Sequence, residues 1–206
     1  MALTTYSELK TAVADWLNRD DLTSVIPTFI SLAEASMERV LRTHNMLTQY
    51  PTTLSTQYTL LPSDFLEMRS VKLLTSPVTP VEYMGKEQLD EYDSLHSGGS
   101  KPLYYTLESG QLRIAIPDGS YSAYLTYYAK LEKLSDTITT NWLLASHPDA
   151  YLYGALLQAA PYLKDDARVQ IWNGLFAGAI EAIKTADERG ATTGGMLKMR
   201  AKAFGT

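Results

Sequence analysis

The sequence predicts an α+β chain: a bundle of N- and C-terminal helices, an inserted antiparallel β-rich region and a flexible C-terminal arm. Three observations carry that reading. Apolar residues recur at helical spacing from about 5 to 44 and again from about 146 to 189. Between them, over 45–140, Thr, Tyr, Val and Pro rise and the helical period fades. Residues 190–206, GATTGGMLKMRAKAFGT, combine glycines with three basic residues and no acid. The expected domains are therefore 1–44 plus 141–189 as the helical bundle, 45–140 as the β-rich insertion and 190–206 as the arm.

Thr5-x-x-Glu8 has the capping-box spacing, and Tyr6, Leu9, Val13, Trp16 and Leu17 follow on one face. A first helix is expected over roughly 5–18, broken by Asn18-Arg19-Asp20-Asp21. A second begins near Ser24, tolerates Pro27 in its first turn and ends near His44. Its stripe of Val25, Ile26, Phe29, Ile30, Ala33, Met37, Val40 and Leu41 is wide enough to be buried on more than one side. Strands are expected at 49–55, 57–61, 69–75, 79–84, 102–108, 111–116 and 121–129. Ser109-Gly110 is the hairpin turn between two of them. Lys86 to Leu95 reads as one short helix. Two final helices are expected near 147–163 and 165–188, with Gly190 stopping the second.

Composition narrows the chemistry. The chain has 206 residues and no cysteine, so disulfides, thiolate metal sites and cysteine nucleophiles are excluded. No apolar run approaches the length of a membrane span, and the N-terminus lacks the pattern of a signal peptide. A protein of the cytosol, not associated with membranes, is expected. The net charge is −5. Residues 190–206 contribute Lys198, Arg200 and Lys202, which leaves 15 basic and 23 acidic side chains, or −8, on residues 1–189. An acidic body repels a phosphate backbone, which disfavours a nucleic-acid groove.

Catalytic motifs are missing. The sequence holds no phosphate-binding loop of the GxxxxGK[ST] type, no GxGxxG, no HExxH and no GxSxG. His44, His96 and His147 are too far apart for a local metal cluster. The loop from His96 to Lys101 is glycine-rich, but it precedes Pro102 and a strand rather than a helix, so it reads as a plain loop. Asp20-Asp21, Asp165-Asp166 and Asp187-Glu188 sit at helix ends, where a structural role outweighs acid–base work. Tyr104, Tyr121, Tyr124, Tyr127 and Tyr128 could stack on bases, yet core and interface roles fit them better. Ser146 reads as an N-cap with Pro148 and Asp149 in the first turn, and His147 at the start of that helix lacks a partner. Beyond it, Gly154, Ala159 and Ala160 permit close helix approach. No catalytic residue, cofactor site or metal ligand is assigned.

Five segments occur in a familiar order: VIPTFISLAEASMERVLR (25–42), YTLLPSDFLEMRSVKL (58–73), PLYYTLESGQLRIAIP (102–117), YSAYLTYYAKLEKLS (121–135) and NWLLASHPDAYLYGALLQAAPYLKDDARVQIWNGLFAGAI (141–180). Together they resemble the head-to-tail adaptor, or connector, proteins of tailed bacteriophages, including the tail tubular protein A group. The resemblance implies a structural virion protein and not an enzyme. It implies a ring, usually of twelve copies, between the portal protein and the tail nozzle or other tail proteins. DNA would pass through the central channel without sequence-specific binding, and assembly would take place in the host cytoplasm. Such proteins often extend their C-terminal segments onto the portal. On that basis Met196, Leu197, Lys198, Met199, Arg200, Lys202 and Phe204 are expected to bind the portal or another partner. The competing expectations are a virion-borne nucleic-acid-binding protein using the arm and the tyrosines, and a cell-wall-degrading enzyme using His147 with Asp149 or Asp165.

Overall fold

The computed structural model describes residues 3–96, 99–163 and 166–192. In chain order the elements are α1 (Tyr6–Leu17), α2 (Ile26–Val40), β1 (Leu47–Leu54), β2 (Tyr58–Leu60), β3 (Phe65–Leu73), β4 (Thr79–Tyr83) and α3 (Lys86–Leu95). They continue with β5 (Tyr104–Glu108), β6 (Gln111–Ile114), β7 (Tyr121–Ala129), α4 (Trp142–Ser146), α5 (Pro148–Leu163) and α6 (Asp166–Thr192). Two 3₁₀ turns, Asp20–Leu22 and His44–Met46, flank α2. The backbone divides into two units: a helical one that ends at Leu41 and resumes at Glu132, and a sheet one, Arg42–Leu131.

The helical unit starts as its sequence indicates. Thr5 accepts a hydrogen bond from the Glu8 amide, and the Glu8 carboxylate accepts one from the Thr5 amide at 3.0 Å. Two donors at the helix start are thereby satisfied. Asn18 ends α1 in the left-handed conformation, with φ 52°. Helix α2 has Pro27 in its first turn and stops at Val40 rather than near His44, because Leu41 is already extended. Helix α5 is apolar nearly all round and buries Ala150, Tyr151, Leu152, Gly154, Ala155, Leu156, Ala159 and Ala160. It packs on α1, α2 and α6. A Cβ built on Gly154 would lie 3.0 Å from both Ala33 Cβ of α2 and Phe176 Cε2 of α6. Gly154 is therefore a point of close contact among three helices.

The second half of this unit departs from expectation in two places. Ser146 does not start the long helix; it closes α4, a single turn that the sequence reading missed. Asn141 is the N-cap there, its side-chain oxygen accepting the Leu144 amide at 2.9 Å. Helix α6 runs through Gly190 to Thr192, so Gly190 does not stop it.

The sheet unit carries seven strands in the order β1-β7-β3-β4-β5-β6-β2. β1, β3 and β7 are antiparallel neighbours, with Leu47 opposite Tyr128 and Leu54 opposite Tyr121. The two outermost strands, β1 and β2, are joined by only three residues, 55–57. That short link requires the sheet to curl until its edges approach, which gives a nearly closed form. Its core is Leu54, Val71, Leu73, Val81, Tyr105, Leu112, Ile114, Ala123, Leu125 and Tyr127. Ser109 and Gly110 both have positive φ, 50° and 75°, as a two-residue hairpin turn of this twist requires.

The expected fold class is corrected by this sheet. A helical bundle carrying an antiparallel β insertion does not describe the chain, which is α+β only in the broad sense. The sheet has seven strands and its own core, and it is mixed: β4 and β5 run parallel, Glu82 opposite Tyr104. Helix α3 is the reason. Parallel strands need a crossover between them, and α3 provides it. Strand β3 also begins at Phe65 rather than 69, because two register irregularities against β7 break its alternation.

Candidate functional site

Two polar clusters and a set of exposed apolar residues are the places where function could reside. The first cluster lies inside the helical unit. Glu34 of α2 is 2% exposed, yet it sits in the apolar stripe between Ile30 and Met37. One of its oxygens accepts the Leu134 amide at 2.8 Å and the Tyr151 hydroxyl at 3.2 Å. Asn141 donates its side-chain amide to the Tyr151 oxygen at 2.6 Å and to the Glu132 carbonyl at 2.7 Å. Burial holds the Glu34 carboxyl above the usual carboxylate range. Burial likewise pushes the Tyr151 phenol up, and Glu34 beside it acts in the same direction. These side chains are satisfied by one another and sealed from solvent. Their chemistry is that of a fastening: they hold the segment from Glu132 to Asn141 onto α2 and α5.

The second cluster belongs to the sheet unit. Arg113 of β6 is buried and pairs with Asp93 of α3 at 3.0 Å, with Asp90 of α3 and, at 3.5 Å, with Glu108 of β5. Asp93 also accepts the Gln57 side-chain amide at 2.8 Å and the Ile116 backbone amide at 3.1 Å. Lys86 of α3 pairs with Glu108 and holds its carboxyl below the usual range. The crossover helix is thus fixed to β5 and β6 by charges at both of its ends. Among the described residues no group of three or more His, Asp or Glu is arranged to hold a metal ion.

The exposed apolar residues have a different character. On the helical unit Trp16 is 48% exposed and packs against Trp172 at 5.7 Å and Tyr153 at 6.2 Å. Ile171 and Leu175 of α6 face solvent, and Tyr162 leans on Phe29 at 5.5 Å. On the sheet unit Leu60, Val78 and Tyr83 are each more than half exposed. Of these, Trp16, Tyr153 and Trp172 are in mutual contact, which makes that patch a candidate interaction surface.

The residues singled out from sequence fall as follows. His147 joins α4 to α5: its amide donates to Leu143 at 2.7 Å and its carbonyl accepts from Ala150 at 3.2 Å. It is a hinge of two helix ends, with backbone and not ring doing the bonding. Asp20 and Asp21 open a 3₁₀ turn, and Arg19 pairs with Asp21 at 2.7 Å. Asp187 and Glu188 lie within α6. His96 stacks on Tyr92 at 4.1 Å. Of the strand tyrosines, Tyr127 is buried and donates to Asp64 at 2.9 Å; burial first and Asp64 second raise its phenol to about 12, while Tyr124 is exposed. Asp165 and the expected partner-binding residues Met196, Leu197, Lys198, Met199, Arg200, Lys202 and Phe204 lie outside the described residues. Glu34, Asn141 and Arg113 were missed by sequence reasoning. A signal existed for the first: Glu34 is the one acid at a stripe position of α2. Arg113 had none, since Asp93 and Asp90 lie 20 and 23 residues away on α3.

Compared with known families, residues 4–197 match the family model described as SU10 adaptor protein. No curated protein matches the chain.

Proposed function

From the premise that this chain belongs to the SU10 adaptor protein family, we propose that it is a ring subunit joining the capsid portal to the tail. The family makes it a structural protein of a bacteriophage virion, a head-to-tail adaptor that meets other head and tail proteins. No helix among the described residues is long and apolar enough to cross a membrane.

The finer reading is as follows. Twelve copies close a ring around a channel, with the portal protein on one side and the tail nozzle or other tail proteins on the other. The terminal helical parts form the wall, and the β part reaches towards neighbours or the tail. The C-terminal residues from Met196 to Phe204 bind a partner during assembly in the host cytoplasm. The family match over residues 4–197 carries this reading. A net charge of −5 supports it, since an acidic lining lets DNA slide without sticking. Exposed Trp16, Ile171 and Tyr83 support it as well, because permanent interfaces are built on such side chains. Electron microscopy of the chain mixed with its portal protein tests the proposal. Twelvefold rings with an open channel, seated on the portal, are expected. A monomer that binds no portal at any concentration would count decisively against it.

A further inference from the structure

We propose that the segment from Glu132 to Asn141 is a proton-operated strap, fastened to the helical unit while Glu34 carries its proton and opening locally when Glu34 ionises. The inference concerns the interior of the helical unit and does not depend on the ring reading.

The segment runs between β7 and α4 without helix or strand, yet Leu134 is 8% and Asn141 6% exposed. Several bonds fasten it. The Leu134 amide donates to Glu34 Oε1 at 2.8 Å, and the Tyr6 amide donates to the Thr139 carbonyl at 2.7 Å. The Asn141 side chain donates to the Tyr151 oxygen at 2.6 Å, and Lys10 pairs with Asp136 at 2.9 Å. Asp136 is exposed, so water replaces that pair at little cost. The Leu134 bond is different, because it ends on a buried carboxyl whose charge can change.

The setting of Glu34 explains why that bond yields. An ionised carboxylate offers about four acceptor positions. Here two donors, Leu134 and Tyr151, meet on one oxygen in a site closed to solvent. Around it stand Glu38 one turn further along α2, Tyr151 of α5, Tyr6 and Lys10 of α1, and Lys133 and Asp136 of the segment itself. Burial opposes ionisation most strongly, Lys133 favours it and Glu38 opposes it. An ionised Glu34 is therefore driven to reach water. Helices α2 and α5 form two of its walls. The segment is the wall without regular structure, so it is the one that moves.

Opening uncovers Leu134. It also frees the twelve residues 130–141 between β7 and α4, enough chain to span up to about 40 Å. The backbone passes between its two units at 41–42 and at 131–132, so the strap sets the slack in one of two passages. The closed form binds the Glu34 proton more tightly than the open form. The strap is therefore tightest below the ordinary value of 4.5, loosens as pH rises through the higher value of the closed form, and stays equally loose above it.

Hydrogen exchange of the full-length chain from about pH 4 to about pH 8, with intrinsic rates divided out, reads the opening constant of residues 132–141 against that of α5. The strap is expected to open far more often than α5 at every pH. Its opening constant should climb by up to about tenfold per pH unit and then level. Glu34→Gln should flatten the climb. Lys133→Met, a change at an exposed side chain, should carry the climb to higher pH, because ionisation loses its nearby cation; this variant decides the matter if Glu34→Gln does not fold. Equal opening constants in strap and α5 would mean that the segment opens only when the whole unit unfolds, and would overturn the proposal. So would a flat profile in the native chain, a climb that survives Glu34→Gln, or an upper end that Lys133→Met leaves in place.

Discussion

The two units solve the problem of a buried charge in opposite ways. In the helical unit one carboxylate, Glu34, is enclosed on hydrogen bonds from Leu134 and Tyr151, with the exposed Lys133 as a nearby charge. In the sheet unit a cation, Arg113, is enclosed among Asp90, Asp93 and Glu108. The first arrangement shifts the acid towards its neutral form and tolerates a neutral replacement. The second depends on formal charge, because removing the arginine strands Asp93 in a buried position. The difference teaches where each unit is fragile: one in its packing, the other in its pairing.

The comparison breaks most sharply at Arg113. Arg113→Leu should cost about 3–5 kcal/mol, since it leaves a buried carboxylate uncompensated. Urea unfolding followed by hydrogen exchange should place the loss in α3, β5 and β6. Loss spread evenly over both units would contradict the distinction drawn between them. Next comes Gly154→Ala, which inserts a methyl group 3.0 Å from Ala33 and Phe176 and should cost about 1–3 kcal/mol. If thermal unfolding is unchanged, the three helices do not meet as tightly as described.

Tyr151→Phe removes one donor to Glu34 and one acceptor for Asn141, at about 1–2 kcal/mol. The smallest effect, and the sharpest in form, belongs to Glu34→Gln. A carboxyl whose folded value is raised binds protons more readily folded than unfolded. Its stabilising contribution is complete below the ordinary value of 4.5 and is lost as pH rises through the higher folded value. Glu34→Gln should remove that slope while changing stability near neutral pH by about 1 kcal/mol or less. Urea midpoints measured across the acid range check it, and an unchanged slope would mean that Glu34 is not the group responsible.

The legibility of these features in sequence follows the range of the interactions that make them. Local devices could be read directly: the Thr5–Glu8 cap, Pro27 in the first turn of α2, the Ser109-Gly110 turn and the small residue at Gly154. All seven strands were placed because β-branched and aromatic residues, bounded by turn signals, mark them within a few positions. The pairing of β4 with β5 was not legible, since a strand's direction relative to its neighbour is set by the whole crossover and not by its own residues. The start of β3 was hidden by its register irregularities. Of the polar clusters, Arg113 and Asp93 join residues that no periodicity connects, and Asn141 looked like loop until its cap was seen. The corner at His147 is built by its backbone hydrogen bonds to Leu143 and Ala150, which no residue-type pattern announces.

The interruption of the helical unit by the sheet unit sets an order of events during synthesis. Helices α1 and α2 leave the ribosome with the stripe of Phe29, Ile30, Ala33 and Met37 uncovered, and their partner α5 begins more than 100 residues later. At about 5–20 residues per second that wait lasts roughly 5–20 s. The sheet unit, contiguous in the chain, is complete well within it. The nascent subunit thus spends seconds with a finished sheet and an open helical half, a period in which chaperones rather than assembly partners would be its companions. The basic residues Lys198, Arg200 and Lys202 follow α6 and emerge only after the helical half has had its missing partner delivered.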